Sequence, residues 1–183
     1  PPIAFGRVIA PRPILACLAR LGLPSPYLAS TRSLIDGRAP DPSWPRELAP
    51  GIFWLGHCMR REMPDGGSIH MYNCAYLVAG DEHSAFVETG MTCDTRVVIE
   101  QAERLVSERG LPEPRYIFAT HSEMAHCGGS GLIIDRWPEV TVHGDVSDLH
   151  LVFPQYADHF HFAEPDDRFD LGGTEIVVNE SVF

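Results

Sequence analysis

The order of apolar runs predicts a layered α/β sandwich. Three observations carry that prediction. Strand-like segments come first, and strand–helix alternation follows them. One helix between two short apolar strands has a single apolar stripe. The second of those strands runs straight into a loop rich in histidine and glycine, ATHSEMAHCGGS, Ala119–Ser130.

The chain has 183 residues, a length that suits one domain. Its 44% apolar and 21% charged content are those of a globular protein. The net charge of -11 argues against nucleic acid or an anionic membrane as partner, since both need clustered cations. All the basic residues are arginine. Cys17, Cys58, Cys74, Cys93 and Cys127 are odd in number and form no CxxC pair, which speaks for a reducing cytoplasm rather than a disulfide framework. No apolar run approaches the ~18 residues of a membrane span. The chain starts without Met, and a lost beginning is expected.

Residues 1–48 hold much of the proline and read as an extension or arm, with one short helix around Ile14–Leu21. Such an arm either packs loosely or forms a homodimer. A domain over residues 49–183 follows. IFWLG at Ile52–Gly56 is a first strand, MYNCAYLVAG a second, and HSAFVETG a third after a turn at Gly80–Glu82. Asp94 is placed to cap a helix whose stripe is Val97, Val98, Ala102, Leu105 and Val106; Gly110 and Pro112 end it. Arg115–Thr120 is a strand. Gly128–Arg136 starts a second helix ended by Pro138, and EVTVHG is a strand. Asp145–Asp170 supports no assignment. DLGGTEIVVNESVF reads as a Gly-Gly turn and a strand.

In the loop, His121 and His126 are five apart, so a helix would turn them different ways. Extended chain places His121 and Glu123 on one side, and the glycines allow His126 to return from the next turn. Imidazole suits zinc, copper or iron, and a carboxylate tilts the choice toward iron or manganese. The alternative reading of the spacing is a solvated polar loop. Glycines 128, 129 and 131 lack the lysine of a phosphate-binding loop.

THSEMAHCGG resembles the metallo-β-lactamase superfamily signature T-H-x-H-x-D-H-x-G-G, and VETG at Val87–Gly90 resembles its V-D-T-G strand end. The likeness spans about Leu48–Phe183 and implies an αββα sandwich of which the N-terminal half to two-thirds is present. Glu123 in place of the second histidine is similar to the oxygen-binding di-iron branch, the metal domain of flavodiiron proteins. The resemblance implies His121 and Glu123 on a first metal, His126 on a second, and Glu88 as an outer partner orienting a ligand. Ala125 stands where the family has an Asp ligand, so one ion, a di-metal site completed by other donors, or a metal-free descendant are the alternatives. The remaining ligands are expected beyond Phe183.

The implied function is a mono- or di-iron protein that binds or reduces dioxygen or nitric oxide, with a small-molecule substrate or oxidant and an electron-donor protein as partners. The alternatives are a zinc hydrolase of an ester, thioester, lactone or β-lactam, and a metal-poor binding or assembly protein. No catalytic residue is assigned. His159 and His161 could replace a missing ligand but read as partly buried loop residues, and His143 as structural. His57 and Cys58 read as solvent-exposed residues near the mouth of the site. Cys127 reads either as a softer thiolate ligand or as a small residue with no metal role. Trp54, Tyr72, Tyr76 and Phe86 read as core.

Overall fold

The computed structural model describes residues 3–5, 44–72 and 75–179. The expected helix at 14–21 and most of the 1–48 segment lie outside the described residues, as do Cys17 and Cys74.

The strands are β1 (Ile3–Phe5), β2 (Arg46–Ala49), β3 (Ile52–Leu55), β4 (Cys58–Glu62), β5 (Ser68–Tyr72), β6 (Ala75–Ala79), β7 (Ser84–Val87), β8 (Pro114–Ala119), β9 (Thr141–Gly144), β10 (Phe160–Phe162), β11 (Arg168–Asp170) and β12 (Glu175–Val178). The α-helices are α1 (Thr95–Arg109), α2 (Met124–Cys127), α3 (Ser130–Arg136) and α4 (Leu149–Val152), and a 3-10 turn spans Pro154–His159.

A seven-stranded sheet in the order β10-β9-β8-β7-β6-β3-β2 forms the centre. Its strands β7 to β10 run parallel, and the β6–β7, β3–β6 and β2–β3 pairs are antiparallel. Both faces of the central strands are covered, which is why Ser84–Val87 is an unbroken buried run. Phe86, Leu77, Ile117 and Val142 pack under Val98, Ala102 and Leu105 of α1 and Ile133 of α3. Val78, Ala85, Val87 and Phe118 face the other way, onto Ile176 of a small sheet ordered β1-β12-β11 and onto Leu171 in its β11–β12 turn. Helices, large sheet and small sheet thus make three layers among the described residues, the layered α/β fold the sequence predicts.

The α1 stripe is buried at Val98, Ala102 and Leu105, while Val97 and Val106 are half-buried. Gly110 ends the helix in the left-handed region at φ 68°. Asp94 stands at the cap position and its carbonyl accepts from the Val97 and Val98 N–H groups, but its carboxylate makes no capping hydrogen bond and is turned toward His57. Two departures concern the strands. MYNCAYLVAG does not form one strand: β5 and β6 belong to different sheets, and β5 pairs with β4 in a separate hairpin. Arg46–Ala49, at the junction with the proline-rich segment, is paired to β3. The unassigned stretch 145–170 contains α4, the 3-10 turn, β10 and β11.

The Gly-Gly turn is present, with φ of 84° at Gly172 and 71° at Gly173. The β6–β7 turn sits on it, with N–H groups of Asp81, Glu82 and His83 donating to the carbonyls of Gly172 and Leu171 at 2.7–3.0 Å.

Candidate metal centre

Because β3, β7 and β8 point the same way, their C-terminal ends share one edge of the sheet. His57 leaves β3 there, Glu88 leaves β7, and the loop from Thr120 leaves β8. The chain bends at residues 120–122 instead of continuing as a strand, and Glu123 is extended at φ -69°, ψ 139°. One turn of helix, α2, then brings His126 back. The histidines expected to diverge on a continuous helix are joined by this bend: their ring centroids are 3.9 Å apart.

Nε2 of His121 lies 3.4 Å from Oε2 of Glu123. One donor atom each from His121, Glu123 and His126 fall within 4.8 Å of one another. Donors ~2.1 Å from a shared ion are at most ~4.2 Å apart, so sub-ångström side-chain shifts bring the set to coordination distance. Nδ1 of His121 is engaged by Thr120 Oγ1 at 3.0 Å, and Nδ1 of His126 faces Oε2 of Glu88 at 2.8 Å. Both rings thus have Nδ1 engaged by the protein, and Nε2 of His121 faces Glu123. Glu123 is exposed and the two imidazoles half-buried, so the cluster opens to solvent.

Behind it the structure is closed. Glu88 is 5% exposed and stands at φ 62°, a left-handed conformation uncommon outside glycine. Its Oε1 accepts from the Thr120 N–H at 2.9 Å. Its Oε2 is buried and meets His126 by proximity, without the direction of a full hydrogen bond. The longer glutamate thus reaches both the loop backbone and the imidazole.

Thr89, absent from the sequence reasoning, ties the loop down. Its N–H and Oγ1 both donate to the His126 carbonyl, at 2.6 and 3.0 Å, and Oγ1 accepts from the Gly129 N–H at 2.9 Å. The threonine of VETG was its only sequence signal. A Cβ at Gly129 would collide with Thr95, so glycine lets the loop close on α1.

Other residues are placed differently. Cys127 is fully buried and donates to the Glu123 carbonyl at 3.2 Å, and burial pushes its thiol up to about 11, so it faces the core rather than the cluster. His57 and Cys58 are half-buried, against the expectation of solvent exposure: His57 Nε2 lies 3.5 Å from Asp94 Oδ1, and Cys58 Sγ lies 3.0 Å from His70 Nδ1. His159 uses Nδ1 on the Val140 carbonyl at 2.8 Å, and His161 stacks on His143, so neither joins the cluster. Trp54 and Phe86 are core, whereas Tyr72 and Tyr76 are half-buried.

The family model described as metallo-beta-lactamase superfamily matches residues 72–180. No curated protein matches the chain. Among solved structures, a putative diflavin flavoprotein fragment from Nostoc sp. superposes with TM-score 0.53 at 13% identity, covering 69% of this chain and 52% of that one. Rubredoxin oxygen:oxidoreductase from Desulfovibrio gigas gives 0.52 at 12% identity, covering 69% and 32%. The FEZ-1 metallo-beta-lactamase from Legionella gormanii gives 0.51 at 15% identity, covering 75% and 52%. The chain spans about half the length, or less, of these structures, and at such identities the likeness concerns fold alone.

Proposed function

As the chain belongs to the metallo-beta-lactamase superfamily, we propose that His121, Glu123 and His126 hold a non-haem iron ion in a protein that binds or reduces dioxygen or nitric oxide. The observation that carries this reading is that donor atoms of Glu123 and of two imidazoles fall within 4.8 Å of one another, with Nε2 of His121 3.4 Å from the Glu123 carboxylate. Two histidines and one carboxylate are the donor set of non-haem ferrous sites with open positions. The oxygen:oxidoreductase among the structural neighbours supports the same direction.

When bound, iron supplies electron transfer to the small oxidant. The chain's own residues do the rest. Glu88 favours the proton on Nδ1 of His126 and so presents Nε2 as the donor. Thr120 engages Nδ1 of His121 to the same end. Thr89 fixes the backbone that carries His126. Nuclearity follows from position 125, where alanine has no donor atom, so a single ion is the simplest occupancy. An electron-donor protein, a homodimer and a cytoplasmic setting belong to the same proposal.

The second reading is a zinc hydrolase of an ester, thioester, lactone or β-lactam, favoured by the FEZ-1-like fold. Anaerobic loading with ferrous salt, followed by metal analysis and visible spectroscopy, distinguishes the two. Retained iron together with dioxygen or nitric oxide consumption supports the redox protein. Full zinc occupancy without iron absorption, with chelator-sensitive turnover of a chromogenic β-lactam or ester, supports the hydrolase.

A further inference from the structure

A second reactive group stands on the β4–β5 hairpin. Cys58 pairs in register with Tyr72, which places His70, two residues earlier, on the same face as its diagonal neighbour. Sγ of Cys58 and Nδ1 of His70 are 3.0 Å apart, within reach of a shared proton. His70 is 9% exposed, while Cys58 is half-buried and so open to a small reagent. The hairpin is not adrift: both backbone groups of Gly56, at the exit of β3, bond to the Gln101 side chain of α1 at 2.7 and 2.8 Å. That exit lies on the sheet edge that carries His121 and His126.

We propose that Cys58 and His70 form a thiolate–imidazolium pair, a cysteine modification site for small hydroperoxides that is separate from the metal cluster. An imidazole that takes the thiol proton leaves sulfur as thiolate, the nucleophilic form, and keeps a positive charge beside it. Attack by the thiolate on one oxygen of hydrogen peroxide forms an S–O bond and breaks the O–O bond. Sulfur is oxidised by two electrons to the sulfenic acid, and the displaced hydroxide takes the imidazolium proton and leaves as water.

The other described cysteines are poorer candidates. Cys127 is fully buried with its S–H donated to a carbonyl. Cys93 is exposed, but desolvation and then the charge of adjacent Asp94 push its thiol above its ordinary range.

The test is peptide-resolved labelling of the full chain at pH 7, with iodoacetamide for nucleophilicity and with hydrogen peroxide plus dimedone for sulfenic acid. A thiol whose proton is taken by a neighbouring imidazole is the better nucleophile, so Cys58 should react at least about tenfold faster than Cys93. His70→Asn should remove that advantage. Cys58 reacting no faster than Cys93, or His70→Asn leaving its rate unchanged, overturns the proposal. If His70→Asn fails to fold, thiolate absorbance near 240 nm decides: it must be larger in wild type than in Cys58→Ser, and equal absorbance refutes the pair.

Discussion

Two pairs of histidine rings sit close together in this chain, and they differ in what surrounds them. His121 and His126, 3.9 Å apart, each have a carboxylate within 3.4 Å, Glu123 on one and Glu88 on the other. His143 and His161 are stacked at 5.3 Å, but His143 is packed among Phe118, Tyr116 and Phe169, and burial, then His161, pull its pKa down to about 4. In the first pair each ring has a carboxylate in contact range, whereas around His143 burial and His161 outweigh the opposing charge of Asp167. Aromatic neighbours surround His143 and disfavour a charge on it, while His161 is exposed. Close histidines therefore do not by themselves share one electrostatic environment.

The sharpest way to break this comparison is to remove one ring from each pair. His126→Ala should weaken ferrous binding by more than the roughly 10–100-fold that outer-shell changes cost, while His143→Ala should leave it unchanged, as read by competition with a metal-sensitive dye. Comparable losses in both would erase the distinction.

Glu88→Gln comes next, with a loss of about 10–100-fold in metal affinity, because the amide no longer holds the His126 proton by charge. Normal affinity in this variant would mean that Glu88 serves the backbone of Thr120 alone.

Glu123→Gln should weaken iron retention on dialysis more than Cys127→Ser, whose sulfur is turned to the core. Equal retention in the two variants would remove Glu123 from the ligand set.

The smallest effect concerns the second pair and acid. Unfolded His143 takes its proton near 6.5 and the folded chain only near 4, with His161 and Asp167 as the charged groups acting on it. Its contribution to stability is thus complete above pH 6.5 and is lost as the pH falls toward 4. Denaturant titrations of His143→Phe should show a flatter decline across that interval than wild type. An unchanged slope would mean that His143 takes up its proton alike in the folded and unfolded chain.

Much of the fold was legible because its signals are local. The α1 stripe, the Gly110 stop and the Gly172–Gly173 turn each follow from spacing or backbone freedom within a few residues. The β4–β5 hairpin was not legible, since the run from Met71 to Gly80 reads as one strand and nothing in it marks a change of sheet. Asp94 was misread for a related reason: its cap position is local, but the partner that turns its carboxylate, His57, comes from a distant strand end.

The sequence by itself determined the layered α/β class, the superfamily and the residues 121, 123 and 126 as one candidate cluster, because motif and periodicity are short-range properties of the chain. Only the tertiary structure decided which partner meets the ring nitrogens of His121 and His126, that Thr89 anchors the loop, and that Cys58 meets His70. Those contacts join residues brought together by strand order and hairpin register, and such distances follow from packing rather than from spacing along the chain.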